Sequence, residues 1–157
     1  MNDTTAEGSP IREALEREHQ VVDRGIEEFR AAPGDATLPL LRTALVALRR
    51  HIWLEEELLF PPLREAGLFG PVMVMLLEHG EIWRAMDELE GALADGDTER
   101  QQTSCTTLLQ LLDQHNRKEE PIVYPQADVA LSEDARAQLE DFIAHEQLPT
   151  GWVCQRA

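Results

Sequence analysis

The stretch His51-Ile-Trp-Leu-Glu55-Glu56-Glu57-Leu58-Leu59-Phe60-Pro61 decides how this chain is read, because it recurs as His115-Asn-Arg-Lys-Glu119-Glu120-Pro121-Ile122-Val123-Tyr124-Pro125. Both copies follow the pattern H-x3-E-E-x3-[FY]-P, the second beginning 64 residues after the first (115 − 51). Residues four apart on a helix lie one turn apart on the same face. Each copy therefore sets an imidazole beside a carboxylate, aimed the same way. Two such pairs brought together offer two nitrogens and two carboxylates, a set able to bridge a pair of metal ions.

Outward from these motifs the chain reads as helices. Ser9-Pro10 is a helix start, with the hydroxyl at the N-cap and proline at the first helical position. The first helix is expected to run to about Ala32 with a stripe of Ile11, Leu15, Val22, Ile26 and Phe29, His19 filling its one gap. Pro33-Gly34 stops it. A second helix, from about Thr37 to Phe60, carries Leu41, Leu45, Leu48, Ile52, Glu55 and Leu59, with His51 beside Ile52 and Pro61-Pro62 as its end. A third, from near Pro71 to Ala94, carries Met75, His79, Ile82, Met86, Leu89 and Leu93, and Asp95-Gly96-Asp97 is a turn. A fourth covers about Thr98 to Glu120 with Cys105, Leu108, Leu112, His115, Glu119 and Ile122 on its stripe, and Pro121 kinks or ends its last turn. A shorter helix, about Ser132 to Gln147, places Leu139, Phe142 and Ile143 on one side. Nothing reads as a strand.

The expected fold is all-α: an up-down-up-down four-helix bundle with a short additional C-terminal helix. Residues 1–9 are expected to be a disordered N-terminus, 10–147 the domain and 148–157 a tail. The duplication extends beyond the opening motif. Glu18-His19 with Val22, Ile26 and Phe29 is matched by Glu78-His79 with Ile82, Met86 and Leu89, at an offset of 60 residues (79 − 19). Whole helical hairpins look repeated.

The bulk composition narrows the function classes. A chain of 157 residues suits one buried core, and 43 % hydrophobic residues suit a globular fold. The formal net charge is −16, from 30 acidic against 14 basic residues. A field of that sign repels phosphate backbones and anionic lipid, which sets aside nucleic acid and membrane surfaces as partners. No N-terminal apolar run reads as a signal peptide, and no stretch reaches the ~20 apolar residues of a membrane span. Cys105 and Cys154 match no metal-finger or redox spacing and read as free thiols in a reducing cytoplasm.

Four of the five histidines, His19, His51, His79 and His115, fall one per long helix on the buried stripes, joined there by Glu55 and Glu119. A single histidine on an apolar face is commonly a core residue with a satisfied hydrogen bond. A carboxylate there is different, because an unpaired buried charge is strongly penalised. Six such groups, with no Lys or Arg among them, make a poor hydrophobic core and a good metal site. Imidazole and carboxylate without thiolate favour Fe, Mn or Zn. A structural zinc needs only four ligands, whereas six suit two metals bridged by two carboxylates, the logic of di-iron bundles. Ferritin-type sites use Glu-x-x-His; here the order is reversed and the spacing is four.

Other candidates carry blander readings. Glu56 and Glu120 point roughly 100° away from their neighbours and read as solvated or as hydrogen-bonded to a ligand. Tyr124 either hydrogen-bonds near the site or caps the fourth helix. Cys105 reads as core packing, and His145, outside the pattern, as a surface residue.

With these residues in place, the chain resembles the hemerythrin-like, or HHE cation-binding, domain family over about residues 10 to 147. The resemblance rests on the histidine of the first helix, His51-x3-Glu55-Glu with its Leu-Phe-Pro, His79, and His115-x3-Glu119-Glu with its Tyr-Pro. It implies a non-haem centre of two iron ions, oxo- or carboxylate-bridged, with Zn or Mn as substitutes. Glu55 and Glu119 would bridge, His19 and His51 would bind one iron, and His79 and His115 the other. Oxygen-carrying members place a further histidine four residues after the one in the third helix; here that residue is Trp83, which reads as core packing. The chain therefore looks like the four-histidine, two-glutamate variants, with water or Asp23 to complete an iron, which points away from simple oxygen carriage.

The functional expectation is a cytoplasmic protein that binds or senses O2 or NO, or handles iron, in a dry pocket lined by Ile26, Leu48, Met86 and Leu112. A sensing role would act through a separate protein partner. The alternatives are a di-metal redox enzyme acting on peroxide or oxygen, and a helical interaction domain with a structural metal. No catalytic residue outside the ligand set stands out.

Overall fold

In the computed structural model, which describes residues 10–157, the apolar stripes are buried along helices close to those expected, except that Ile122, which the π turn carries off the stripe, is exposed. The Ser9 cap and the disordered N-terminus lie outside the described residues. The long helices are α1 (Pro10–Ala31) and α2 (Leu38–Leu54). After a short helix α3 (Phe60–Glu65) come α4 (Phe69–Ala94) and α5 (Thr98–Lys118). Two further short helices, α6 (Tyr124–Ala130) and α7 (Glu133–His145), follow. No strand occurs among the described residues.

Local chemistry sets the helix ends. Asp97 accepts the Arg100 backbone N–H on its carboxylate at 3.1 Å and starts α5, and Ser132 does the same for Ala135 at the start of α7. Gly96, at φ 65°, lets the Asp97 N–H reach back to the Ala92 carbonyl at 3.1 Å and close α4, a conformation costly for residues with a Cβ.

The first prolines behave differently from expectation. Pro61-Pro62 does not end the second helix; the regular α-helix of the fourth does stop at Lys118, just before Pro121, but the chain stays helical. Each Glu-Glu pair instead opens one turn of π-helix, π1 (Glu55–Leu59) and π2 (Glu119–Val123). Each is closed by a hydrogen bond five residues long, Phe60 N–H to Glu55 C=O and Tyr124 N–H to Glu119 C=O. A wider turn shifts the hydrogen-bond register and admits one extra residue. Pro61 and Pro125 then fall in the first turn of the next helix, where a missing N–H costs nothing. The chain thus continues as α3 and α6.

Helix α1 packs on α2, α4 on α5, α1 on α5 and α2 on α4. The α1–α2 approach is close: a Cβ on Gly25 would lie 2.7 Å from the Ala44 Cβ. The core is two hydrophobic clusters. One holds Val22, Ile26, Leu45, Leu48, Ile82, Met86, Leu108 and Leu112; the other holds Ile11, Leu15, Leu54, Phe60, Leu63, Met75, Leu76, Val123, Tyr124 and Phe142. Along α1 and α4 the switch from one cluster to the other falls at the histidine, on α2 it falls just after His51, and α5 leaves the first cluster at His115. A polar layer therefore lies between two apolar ones.

Helix α7 packs on α1 and π1. Phe142 stacks on Trp53, with ring centroids 4.4 Å apart. The last residues are not helical but lie against the bundle. Trp152 meets Trp83 edge to face at 5.6 Å, and Cys154 is buried with its thiol against the His79 carbonyl at 3.8 Å.

Candidate metal centre

Within the polar layer, His19, His51, His79, His115, Glu55 and Glu119 are all buried, with Glu55, Glu119 and His79 fully so. Glu55, His79, His115 and Glu119 each present a ligand atom within 4.8 Å of the others, and so do His19, His51 and Glu119. All six sequence-predicted residues are brought together. Glu119 turns one oxygen to each side: Oε1 lies 3.2 Å from His19 Nε2, and Oε2 lies 3.3 Å from His115 Nε2. Glu55 Oε1 lies 3.3 Å from both His51 Nε2 and His79 Nε2.

The outward ring nitrogens follow one rule: each Nδ1 meets a glutamate. His19 Nδ1 is 3.0 Å from Glu120, His51 Nδ1 is 2.5 Å from Glu18, His79 Nδ1 is 2.8 Å from Glu56, and His115 Nδ1 is 3.1 Å from Glu78. A carboxylate accepting Nδ1–H fixes the tautomer and aims Nε2 inward as a lone pair, the usual brace behind a metal-binding imidazole. The pairing obeys the duplication. Glu18 precedes His19 and holds His51, as Glu78 precedes His79 and holds His115. Glu56 follows Glu55 and holds His79, as Glu120 follows Glu119 and holds His19. Arg50 holds Glu18 at 3.1 Å, and Lys118 pairs with Glu78. Arg50 also donates to the Phe142, Ile143 and Glu146 carbonyls, tying the end of α7 to this network.

Two observations test whether metal ions suit these residues. Glu55 Oε1, His79 Nε2 and Glu119 Oε2 are buried without a hydrogen-bond partner, and all face the same space. Unpaired buried polar atoms are costly, so a cluster of them aimed at one point fits the binding of a cation. The charges agree. Six carboxylates (Glu18, Glu55, Glu56, Glu78, Glu119, Glu120) and two cations (Arg50, Lys118) sum to −4 with neutral imidazoles (−6 + 2), which two divalent ions would neutralise. With protein groups alone, burial would lower the His115 pKa, but the Glu119 charge and the hydrogen bonds to Glu119 and Glu78 outweigh it and push it up to about 10. His19, His51 and His79 are raised in the same way, and Glu119 is driven well below the usual carboxylate range despite its burial. The site demands positive charge.

The other candidates sort as follows. Glu56 is not solvated: it is buried, and its second oxygen accepts the Gln155 backbone N–H at 2.9 Å. Tyr124 is also fully buried, and its hydroxyl stands among the inner groups, 2.8 Å from Glu119 Oε1 and 3.1 Å from Glu55 Oε2. Asp23 lines the adjoining cavity but is not among the clustered ligand atoms; burial and nearby carboxylates raise its pKa to about 6. Trp83 packs between Trp152 and the Arg49 guanidinium, outside the cavity lining. Cys105 is core packing, and His145 is exposed, paired with Asp141.

The cavity is about 10 Å³ for the centre of a water-sized sphere, and Val22, Leu48, Ile52, Ile82 and Leu112 form its apolar wall. Leu48 and Leu112 line it as expected; Met86 and Ile26 are buried in the neighbouring cluster instead. The Glu18 and Glu78 braces were not singled out from the sequence, although the repeated Glu-His dipeptide carried their signal.

Among the described residues, no helix is long and apolar enough to cross a membrane. The family model described as Hemerythrin HHE cation binding domain matches residues 10–127. No curated protein and no solved structure gives a match.

Proposed function

The chain belongs to the hemerythrin HHE cation-binding domain family, and from that premise we propose that it is a non-haem di-iron protein that binds or senses a diatomic gas, O2 or NO. In this reading α1, α2, α4 and α5 form an up-down-up-down bundle. His19 and His51 hold one iron, His79 and His115 the other, and Glu55 and Glu119 bridge. The observation that carries the reading is the convergence of unpaired, buried inner atoms from a duplicated motif, each imidazole braced from behind by its own glutamate.

Bound iron would supply redox electrons and an open position for a small ligand. The protein supplies the rest. The Nδ1–carboxylate pairs hold the proton on Nδ1 and aim each Nε2 inward, so that a bound metal would take the place of the Nε2 proton. Val22, Leu48, Ile82 and Leu112 keep bulk water from the cavity, which strengthens electrostatic interactions inside it. The half-buried Asp23 carboxyl, with its pKa near 6, can hold a proton at the cavity edge. The apolar wall and the small, closed cavity favour a small apolar ligand over a bulky substrate. The enzymatic alternative is redox chemistry on peroxide or oxygen at the same centre. Zinc or manganese would satisfy the same donors without the gas chemistry.

Anaerobic loading with Fe(II), metal analysis, and absorption spectra before and after O2 or NO test the proposal. The expected result is about two iron ions per chain and a spectrum that changes with the gas. Protein that takes up no iron sinks the reading; iron that ignores both gases while the protein turns over H2O2 supports the enzymatic alternative.

A further inference from the structure

The inner side chains of the two halves match residue for residue except at one pair, Phe60 and Tyr124. Phe60 and Tyr124 occupy equivalent positions of the repeat, 64 residues apart (124 − 60). Phe60 stacks on His79 with centroids 5.5 Å apart and 24° between planes; Tyr124 stacks on His19 at 5.6 Å and 27°. The rings are placed alike, so the Tyr124 hydroxyl is an addition to one half only.

That oxygen is surrounded by ligand atoms. It lies 2.9 Å from His19 Nε2, 3.1 Å from His51 Nε2, 2.8 Å from Glu119 Oε1 and 3.1 Å from Glu55 Oε2. His19 Nε2 and His51 Nε2 are themselves 3.0 Å apart. Neighbouring donors on one six-coordinate ion with bonds of about 2.1 Å lie roughly 3.0 Å from each other. A phenol has one proton to donate, and here it faces two carboxylate oxygens and two imidazole nitrogens, which are lone pairs in the neutral, braced tautomers that a metal ion requires. Four acceptors around one O–H is a poor hydrogen-bond arrangement and a good set of ligands for a cation that the phenol oxygen shares.

We infer that Tyr124 is itself a ligand, its phenolate oxygen binding the iron held by His19 and His51, so that the two irons differ chemically. The inference rests on the di-iron reading above. On binding, the phenolic proton is released to solvent as the oxygen–iron bond forms; no electron moves in that step. The His79–His115 iron has only the Phe60 ring at the matching place.

The test uses the full chain loaded anaerobically with Fe(II) and oxidised to Fe(III) with ferricyanide. Phenolate bound to Fe(III) gives a charge-transfer band in the visible, and excitation into it enhances tyrosinate ring modes in resonance Raman. Tyr124 is the only tyrosine in the chain, so such modes have one source. The expected result is a visible band with tyrosinate modes in the wild type, lost in Tyr124→Phe while about two irons per chain remain. Two irons in the wild type without tyrosinate modes overturn the assignment and leave the di-iron reading standing. The same holds if Tyr124→Phe keeps the wild-type band. Failure of the wild type to bind iron overturns both. The Raman arm needs no variant, so a Tyr124→Phe protein that fails to fold does not shelter the assignment.

Discussion

At the residue scale the centre is a set of matched pairs, and the pairs differ in how well water can replace them. Glu56 is 2 % exposed and holds His79 from behind, whereas the Glu120 side chain, which holds His19, is 36 % exposed. Removing an outer carboxylate typically costs tenfold to a hundredfold in metal affinity, because the imidazole loses its orientation and tautomer. Glu56→Ala is expected near the top of that range, since neither Nδ1–H nor the Gln155 N–H regains a partner. Glu120→Ala is expected to lose less, because water can accept from His19. Competition against a metal chelator measures both, and equal losses would show that the braces do not work through buried hydrogen bonds. Asp23 makes a different prediction. Burial first, then Glu27, Asp113 and Glu120, raise its pKa from 3.8 to about 6. Its protonated form is the one the fold favours, so its contribution is present below the unfolded value and lost as pH rises through about 6. Asp23→Asn should therefore raise the melting temperature of the metal-free protein, and more at pH 8 than at pH 5. A gain that is the same at both pH values would show that the ionised carboxylate is not being penalised.

At the element scale the two π turns decide which side chains reach the centre. On an α-helix each residue turns ~100°, so a residue five further on stands roughly 140° round from the first. In π2, Tyr124 is five residues after Glu119 and touches it at 2.8 Å. The wider turn brings position i+5 back over position i. Deleting Ile122, which is half exposed, would restore the α register and swing Tyr124 and Ala127 out of the core. The expected loss is about 3 kcal/mol or more, as for truncating a large buried aromatic, a fall of roughly 6–12 °C in melting temperature with weaker metal retention. A deletion variant that melts like the wild type would show that the π turn is incidental. The same geometry explains what was legible in the sequence. The six inner groups stood out because a His-x3-Glu pair on an apolar stripe conflicts with ordinary core composition. Tyr124 did not, because α periodicity places it off the stripe, and its hydroxyl looked as suited to a cap. Nor did Pro61-Pro62 read correctly, since the extra residue of the π turn places Pro61 in the first turn of the next helix, where its missing N–H costs nothing. The Glu18 and Glu78 braces act between helices, a pairing no spacing along one helix encodes.

At the scale of the whole molecule the centre is closed from behind by the C-terminal strap, which looked like a mere tail in the sequence because every contact it makes is distant along the chain. Trp152 Nε1 donates to Glu57 at 3.2 Å, the Gln155 N–H donates to Glu56, and Arg84 donates to the Arg156 carbonyl at 2.8 Å. The strap crosses α4 at Gly80, where any Cβ would collide with the Arg156 carbonyl oxygen. The backbone on both sides is fixed, so relief can come only by lifting the strap. Gly80→Ala is accordingly expected to free residues 152–157 while leaving the four long helices packed. Thiol chemistry reads this directly. Cys105 is sealed in the core and Cys154 under the strap, and burial pushes both thiols up to about 11. At pH 8 only about one in a thousand of either would be thiolate, the reactive form, even before access is considered. The native chain should therefore react with an aromatic disulfide reagent at neither cysteine until it is denatured. In Gly80→Ala one thiol per chain should react rapidly, with peptide mapping placing the label on Cys154, and Cys105 should stay silent until unfolding. Labelling at both sites would mean that the whole bundle loosens. Labelling at neither would mean that the strap tolerates the methyl and is not held by this crossing. The same variant should weaken metal retention by way of Glu56, which loses the Gln155 N–H when the strap lifts, but by less than Glu56→Ala, because the carboxylate still holds His79 Nδ1.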